Sequence, residues 1–279
     1  MRFPHLNTTS LQGTTLVVIG AHYFCDDFND PLCRYVANVA WSRAVLVEAS
    51  PEIAAALTTK LDRHNPLTHV PRSRISVVNQ GVCFSTPINA TTHRTFYSFA
   101  EKPGLLRWAS QIGSFSKSHV EKSLKEIYRK QARGYNYSVQ DIKSFVRPVQ
   151  IECLHPVTLL QRQQVSGRIG VLTVDTEGQD CEIMRNLNWS SPELCALNPE
   201  VLFYEKKACI ARSYLASAEA LKATRDCRRT YRADADADQY ELVYMDGENV
   251  GWARGESREL SHRMRRQKEA ASKATSTRG

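Results

Sequence analysis

Three short runs rich in β-branched residues, Thr15 to Ile19, Ala44 to Val47 and Ile75 to Asn79, alternate with two stretches of helical character, and no other feature constrains the fold as strongly. The first two runs are apolar at nearly every position, the pattern of a strand buried on both faces. Between the runs, Pro31 to Ala40 reads as a helix with Asp30 as N-cap and Pro31 at its first position, where the missing N–H costs nothing. Pro51 to Arg63 reads as a second helix, capped by Ser50, with Ile53, Leu57 and Leu61 at helical spacing. The order β-α-β-α-β predicts a parallel sheet with right-handed crossovers.

The pattern resumes after residue 148. Val149 to Cys153 reads as a strand, Pro156 to Gln164 as a helix, Ile169 to Asp175 as a strongly apolar strand and Cys181 to Leu187 as a helix. Val201 to Tyr204 is a further strand, Tyr214 to Arg225 a further helix, and Tyr240 to Met245 with Val250 to Ala253 a closing hairpin across Asp246-Gly247. The expected class is therefore α/β and Rossmann-like, a mostly parallel central sheet with helices on both faces and an antiparallel hairpin at the end.

With 279 residues, 42% apolar and 24% charged, the chain has globular proportions, and no run approaches the roughly 20 apolar residues of a membrane-spanning helix. Its net charge of +8 would suit a polyanionic partner, but the excess is localised. In the segment 96–148, Lys117, Lys122, Lys125, Arg129, Lys130, Arg133, Lys143 and Arg147 outnumber Glu121, Glu126 and Asp141. That segment reads as an inserted substrate or cap element, part helix and part loop. Residues 1–14 read as an extension, 15–253 as one folded domain, and 254–279 as a disordered basic tail. The tail has no interleaved aromatics to stack on bases, so nucleic acid is not the expected partner.

The eight cysteines form no CxxC and no paired short spacings, which argues against a metal site. A chain this long can bury a core without disulfides, and MRFPHLNTTS lacks the basic-then-apolar pattern of a signal peptide. Reduced thiols and a cytoplasmic location are the expectation, and the N-x-S/T matches at Asn7, Asn89, Asn136 and Asn188 are read as chance.

Ligands of open parallel sheets bind beyond the carboxyl ends of the strands, where strand order reverses. Strand one ends in Gly20-Ala21-His22, small residues that let backbone approach a ligand. Strand two ends in Glu48, a carboxylate suited to both hydroxyls of a ribose, and the strand after residue 168 ends in Asp175-Thr176-Glu177-Gly178. Together they describe a nucleoside-binding crevice. GAHYFC is no G-x-G-x-x-G, which disfavours a pyrophosphate dinucleotide and favours S-adenosylmethionine, which has a ribose and no pyrophosphate.

The stretches VVIGAHYFCDDFNDPL, AVLVEASPEIAAAL, ISVVNQGVC, SFAEKPGLLRWASQIGSFSKSHVEKSL, VLTVDTEGQDCEIMRNLNW and PEVLFYEKKA follow in that order over most of residues 15 to 253. Taken together they resemble the FkbM family of S-adenosylmethionine-dependent methyltransferases, in the branch whose first motif reads roughly GAnDG followed by a DP pair. The resemblance implies a class I methyltransferase fold that moves a methyl group to a hydroxyl on a small molecule or glycan. It places Gly20, Ala21 and His22 in the first cofactor turn, Asp30 in the acidic-proline pair, Glu48 and Ala49 at the ribose, and Gln80 and Gly81 beside the adenine. Asp175, Glu177 and Gly178 match the family's D-x-E-G near the methyl donor. Ser114, Ser116 and His119 match the loop over the acceptor, and Glu205 ends the next strand at the same rim. Asp175 or Glu177 would orient the acceptor or take its proton, with His119 as an alternative base.

The sequence departs from that pattern at His22-Tyr23-Phe24, where the branch has Asn-Asp-Gly. Either the bulky rings intrude on the methionine part of the cofactor, or the turn is rebuilt around Asp26 and Asp27. Two other readings stay open: a degenerate relative that binds a ligand or partner without catalysis, and a basic protein that binds anionic polymers.

Overall fold

The computed structural model describes residues 11–25, 31–100, 102, 109, 112–130, 137–165, 168–176, 183, 199, 201–205, 240–245 and 249–254, the last three segments by their backbone. In chain order the first elements are β1 (Thr15–Ile19), α1 (Pro31–Val36), β2 (Arg43–Val47), α2 (Pro51–Arg63), β3 (Ile75–Val78), β4 (Gly81–Val82) and β5 (Thr91–Phe99). There follow α3 (Lys117–Lys122), α4 (Leu124–Lys130), α5 (Val139–Ser144), β6 (Val146–Leu154), α6 (Pro156–Arg162), β7 (Ile169–Val174), β8 (Val201–Glu205), β9 (Tyr240–Met245) and β10 (Asn249–Arg254). The helices expected at Cys181 to Leu187 and Tyr214 to Arg225 lie outside the described residues, as does the tail beyond Arg254.

The seven-stranded sheet has the order β3-β2-β1-β7-β8-β10-β9. β3, β2, β1, β7 and β8 pair in parallel, and β10 runs antiparallel to both β8 and β9. The last strand therefore lies inside the sheet, between β8 and its own hairpin partner. Strand order reverses between β1 and β7: the chain leaves β1 towards β2 and β3, and β7 towards β8.

Alternation along the strands explains the apolar runs. Leu16, Val18, Ala44, Leu46 and Val171 face one cluster with Cys33 and Val36 of α1 and Leu57 and Leu61 of α2. Val17, Ile19, Val45, Val47, Leu172 and Val174 face the other, with Val157, Leu159 and Leu160 of α6. Helices thus cover both faces, and each central strand must be apolar at odd and even positions alike.

Local capping sets the helix ends. Ser50 accepts the Ile53 N–H, Pro51 opens α2, and Lys60 and Arg63 occupy its last turn. α1 ends at Val36, short of the expected Ala40, because other groups take the carbonyls that would continue it. The Trp41 indole N–H donates to the Val36 carbonyl at 2.9 Å, and the Gly13 N–H to that of Ala40 at 2.9 Å. At α6, His155 Nδ1 accepts the Val157 N–H at 3.3 Å, and burial holds its pKa below the ordinary histidine range. A depressed folded pKa means that its contribution is present above the unfolded value and is lost as pH falls through it. Acidification from about pH 7 to pH 5 is expected to remove the His155 contribution to the melting temperature, a downward slope specific to this side chain. His155→Asn, which keeps a capping acceptor without titrating, should reduce that slope in a pH series of thermal melts.

One expected strand changes place. Val149 to Cys153 belongs to the longer β6, which lies in a separate three-stranded sheet of order β4-β6-β5 and not in the central sheet. The cause is antiparallel pairing with β5 along its whole length, from Thr91↔Leu154 to Phe99↔Val146. This sheet carries its own small core, in which Phe99, Ile112, Val120, Leu124, Ile127 and Ile142 pack together. Several cations of the basic segment have local partners: Lys117 and Lys143 lie 3.8 and 3.7 Å from Glu121, and Arg147 lies 3.5 Å from Glu52.

The expectation of reduced thiols is also corrected. Cys25 pairs with Cys33 and Cys83 with Cys153 as disulfides, with Cα atoms 5.2 and 5.5 Å apart. The second pair meets because β4 and β6 are neighbours, which spacing along the chain cannot reveal. Among the described residues no group of His, Cys, Asp and Glu could hold a metal ion, and no helix is long and apolar enough to cross a membrane.

Candidate functional site

The carboxyl ends of β2, β1 and β7 meet where strand order reverses, and a cavity of about 280 Å³ opens there. That volume lies near the lower end, about 300 Å³, of small-molecule pockets. The residues immediately after the three strands, Glu48, Gly20 and Asp175, all line it.

Gly20 is dictated by that convergence. Its φ is +82°, and a Cβ there would lie 1.6 Å from the Asp175 carbonyl oxygen. The N–H groups of Gly20 and Ala21 both reach the Val47 carbonyl at 2.9 Å, and the Asp175 N–H reaches that of Ile19 at 2.9 Å. The three strand ends are thus tied through backbone, and only a residue without a side chain fits between them.

Glu48 is 7% exposed. One carboxylate oxygen accepts the His22 N–H and the other the Ser50 N–H, each at 2.8 Å. Asn79 donates to the Glu48 and Ala49 carbonyls at 3.0 Å, fixing the backbone behind the carboxylate. The carboxylate also lines the cavity and keeps acceptor capacity beyond these bonds. Burial raises the Glu48 pKa above the ordinary carboxylate range, opposed in part by the N–H groups of Ser50, His22 and Ala49.

The sign of the pH dependence follows. A folded pKa above the unfolded value favours folding most at low pH, and that contribution is lost as pH rises through the folded value. A ligand donating to the ionised carboxylate acts in the opposite direction. Raising pH from the ordinary carboxylate range upwards should remove the Glu48 contribution to the melting temperature of the free protein and tighten binding of a polyhydroxyl ligand. Melting and calorimetric titration along one pH series read both slopes.

The divergent turn survives as a turn. His22 and Cys25 have left-handed φ values of 43° and 59°, and the Phe24 N–H closes onto the Ala21 carbonyl at 2.8 Å. The left-handed His22 backbone supplies the N–H that Glu48 accepts. Lys60 of α2 donates to the Tyr23 and Phe24 carbonyls at 2.5 and 2.6 Å, fastening the turn to that helix. The Phe24 side chain is buried in the α1-side core, whereas the His22 and Tyr23 rings meet edge to face with centroids 4.3 Å apart. All three residues touch the cavity and leave it open beside Glu48. Asp26, Asp27 and Asp30 lie outside the described residues, as do Glu177 and Gly178.

Gly20, Ala21, His22, Glu48, Ala49, Gln80, Gly81 and Asp175 share one cavity wall. Gln80 donates to Glu152 at 2.5 Å, which anchors its amide to β6. Ser114, Ser116 and His119 are not on that wall. Ser114 is buried and pairs with Tyr97 through backbone, while Ser116 caps α3 by accepting the His119 N–H at 3.3 Å. Burial, helped by Lys122, lowers the His119 pKa. Glu205 ends β8, one strand beyond Asp175.

The second sheet closes the cavity with residues that the sequence reading missed: Phe96, Ser98, Gly113 and Phe115. The Phe96 and Phe115 rings meet edge to face at 5.3 Å. Their proximity depends on the Tyr97–Ser114 bridge, which no local pattern announces. Thr173 was also missed, although a hydroxyl within the otherwise apolar β7, two residues before Asp175, was a usable signal.

Comparison with protein-family models, curated proteins and solved structures found no match.

Proposed function

We propose that the protein is an S-adenosylmethionine-dependent methyltransferase of FkbM type that methylates a hydroxyl on a small molecule or glycan. The observation that carries this reading is the buried Glu48 carboxylate at the end of β2, which lines a cavity at the strand-order reversal. A ribose presents two adjacent hydroxyls, and Glu48 would accept from both. A mostly parallel sheet closed by an antiparallel hairpin is the architecture expected of a class I methyltransferase, and the sequence resemblance adds to it.

S-adenosylmethionine supplies an activated methyl group on a sulfonium. The protein's own part is to hold the acceptor oxygen in line with that methyl at about 3 Å and to receive the hydroxyl proton as the new C–O bond forms. Asp175, on the cavity wall beside Gly20, is assigned the positioning role and the proton. Glu177 keeps its assignment from sequence. His119, away from the cavity wall, is not retained as the base. The two disulfides favour an oxidising compartment, so the cytoplasmic placement is not carried forward.

A second reading rests on the His22 and Tyr23 rings in the cavity wall: a module that binds the nucleoside and transfers nothing. Thermal melts with S-adenosylhomocysteine and with NAD test the proposal. The first ligand at about a hundred times its Kd should stabilise the protein by about 2.7 kcal/mol, and NAD should leave the melt unchanged. Stabilisation by NAD alone would overturn the assignment. Stabilisation by S-adenosylhomocysteine, with no methyl transfer to any hydroxyl acceptor tried, would favour the second reading.

A further inference from the structure

Asn7, Asn89, Asn136 and Asn188 are each followed two residues on by Ser or Thr, with no Pro between, which is the acceptor pattern for N-linked glycans. The chain has 11 asparagines, and 41 of its 279 residues are Ser or Thr, so chance would give fewer than two such matches. A reducing compartment would leave all four unused, and the expectation of chance matches followed from that. The Cys25–Cys33 and Cys83–Cys153 disulfides favour the kind of compartment in which such acceptors are modified. Asn7, Asn136 and Asn188 lie outside the described residues, whereas Asn89 is described.

Asn89 occupies the tip of the loop that joins β4 to β5. The Ala90 N–H donates to the Pro87 carbonyl at 3.1 Å, which closes a β-turn with Ile88 and Asn89 at its centre. Asn89 has a left-handed φ of 65°, a conformation that the third residue of a type II turn requires and that Asn tolerates. The loop is fastened around this tip. Cys83 holds one end through its disulfide, the Thr86 and Thr92 hydroxyls meet at 2.6 Å, and the Asn89 N–H donates to the Thr158 hydroxyl of α6 at 2.7 Å.

The backbone of the tip is therefore held while its side chain points away from the core. Asn89 is exposed, and among the described residues its side-chain amide has no hydrogen bond. The turn accounts for an asparagine at this position, but not for a hydroxyl residue two positions later, in an exposed place on β5. Neither Asn89 nor Thr91 lines the cavity, so a bulky group on Asn89 leaves the cavity wall as it is. Ile88, beside it in the turn, is 49% exposed and would be covered by such a group.

We infer that Asn89 is a modification site that carries an N-linked glycan. The donor is an oligosaccharide joined through its anomeric carbon to a lipid diphosphate. The Asn89 amide nitrogen bonds to that carbon and loses a proton, the bond from the carbon to the diphosphate oxygen breaks, and the lipid diphosphate leaves. The inference does not depend on the methyltransferase reading.

The test begins with the full-length protein purified from the cells that make it. Treatment with a glycan-releasing amidase in ¹⁸O-labelled water converts a glycosylated asparagine to aspartate bearing one heavy oxygen, which mass spectrometry of the Asn89 peptide reads. The label is expected at Asn89, together with oxidised Cys83 and Cys153 in the same sample. An Asn89 peptide that is unmodified before and after treatment, or cysteines found as free thiols, would overturn the inference. The same full chain is also directed into the secretory pathway of a eukaryotic host as wild type, Asn89→Asp, Thr91→Val and Thr91→Ser. Thr91→Val should abolish the label at Asn89 and Thr91→Ser should retain it; a label that survives Thr91→Val would overturn the inference. Asn89→Asp keeps a residue tolerant of left-handed backbone, so it should lose the glycan and still melt within about 3 °C of the amidase-treated wild type.

Discussion

Glu48→Gln is expected to weaken binding of S-adenosylmethionine about a hundredfold, the equivalent of two charge-assisted hydrogen bonds at about 1.5 kcal/mol each. The amide keeps the shape of the carboxylate, so the cavity is preserved, but only one of its two ends can accept. The His22 and Ser50 N–H groups compete for that end, and the NH₂ group faces whichever loses. Two opposing changes act on the free protein. A buried ionisable group is removed, and one backbone N–H loses its acceptor. Its melting temperature at neutral pH should therefore stay within a few degrees of wild type, which separates lost binding from lost folding. The pH slopes predicted for Glu48 should flatten in the same variant. Glu48→Ala is a poorer probe because it orphans both N–H groups, at about 1 to 3 kcal/mol each.

Gly20→Ala is expected to cost about 4 kcal/mol of folding stability, in the upper tail of single substitutions. A left-handed backbone costs an L-residue about 1 to 2 kcal/mol before any contact is considered. The larger part is the overlap with the Asp175 carbonyl, which is backbone and has no rotamer to escape into. Relief requires the ends of β1 and β7 to part, breaking the bond from the Asp175 N–H to the Ile19 carbonyl at the switch point. Chemical denaturation should show a large fall in midpoint, and any folded fraction should bind S-adenosylmethionine poorly because the cavity floor has moved. Gly13→Ala serves as the control: φ there is also positive, at +73°, but a Cβ would meet nothing within 4 Å. Only the backbone strain should remain, so its loss of stability should be a fraction of that at Gly20.

The central sheet was legible because its strands are buried on both faces, so that Thr15 to Ile19 and Ile169 to Val174 stand out as apolar runs. Ser50 and Pro51 marked the start of α2 for a reason equally visible in the chain: a side-chain acceptor followed by a residue with no N–H to satisfy. The second sheet was not legible. β5 reads TTHRTFYSF and mixes exposed, half-buried and buried positions without clean alternation, and its identity as a strand depends on a partner, beginning at Val146, that is distant in the chain. At the site, the carboxylates at the strand ends were found by position alone, since a parallel sheet gathers those positions in space. The aromatic wall of Phe96 and Phe115 was not, because it is assembled by pairing between segments. The turn at His22 shows a third limit. Its side chains suggested obstruction, whereas its contribution is a backbone N–H exposed to Glu48 by a left-handed φ that the residue type does not announce.

Isothermal titration of the wild-type chain with S-adenosylmethionine is expected to show one site per chain with a Kd on the order of micromolar and an affinity that strengthens as Glu48 ionises with rising pH. A titration that stays flat at millimolar ligand, with protein shown to be folded by its cooperative melt, would contradict it.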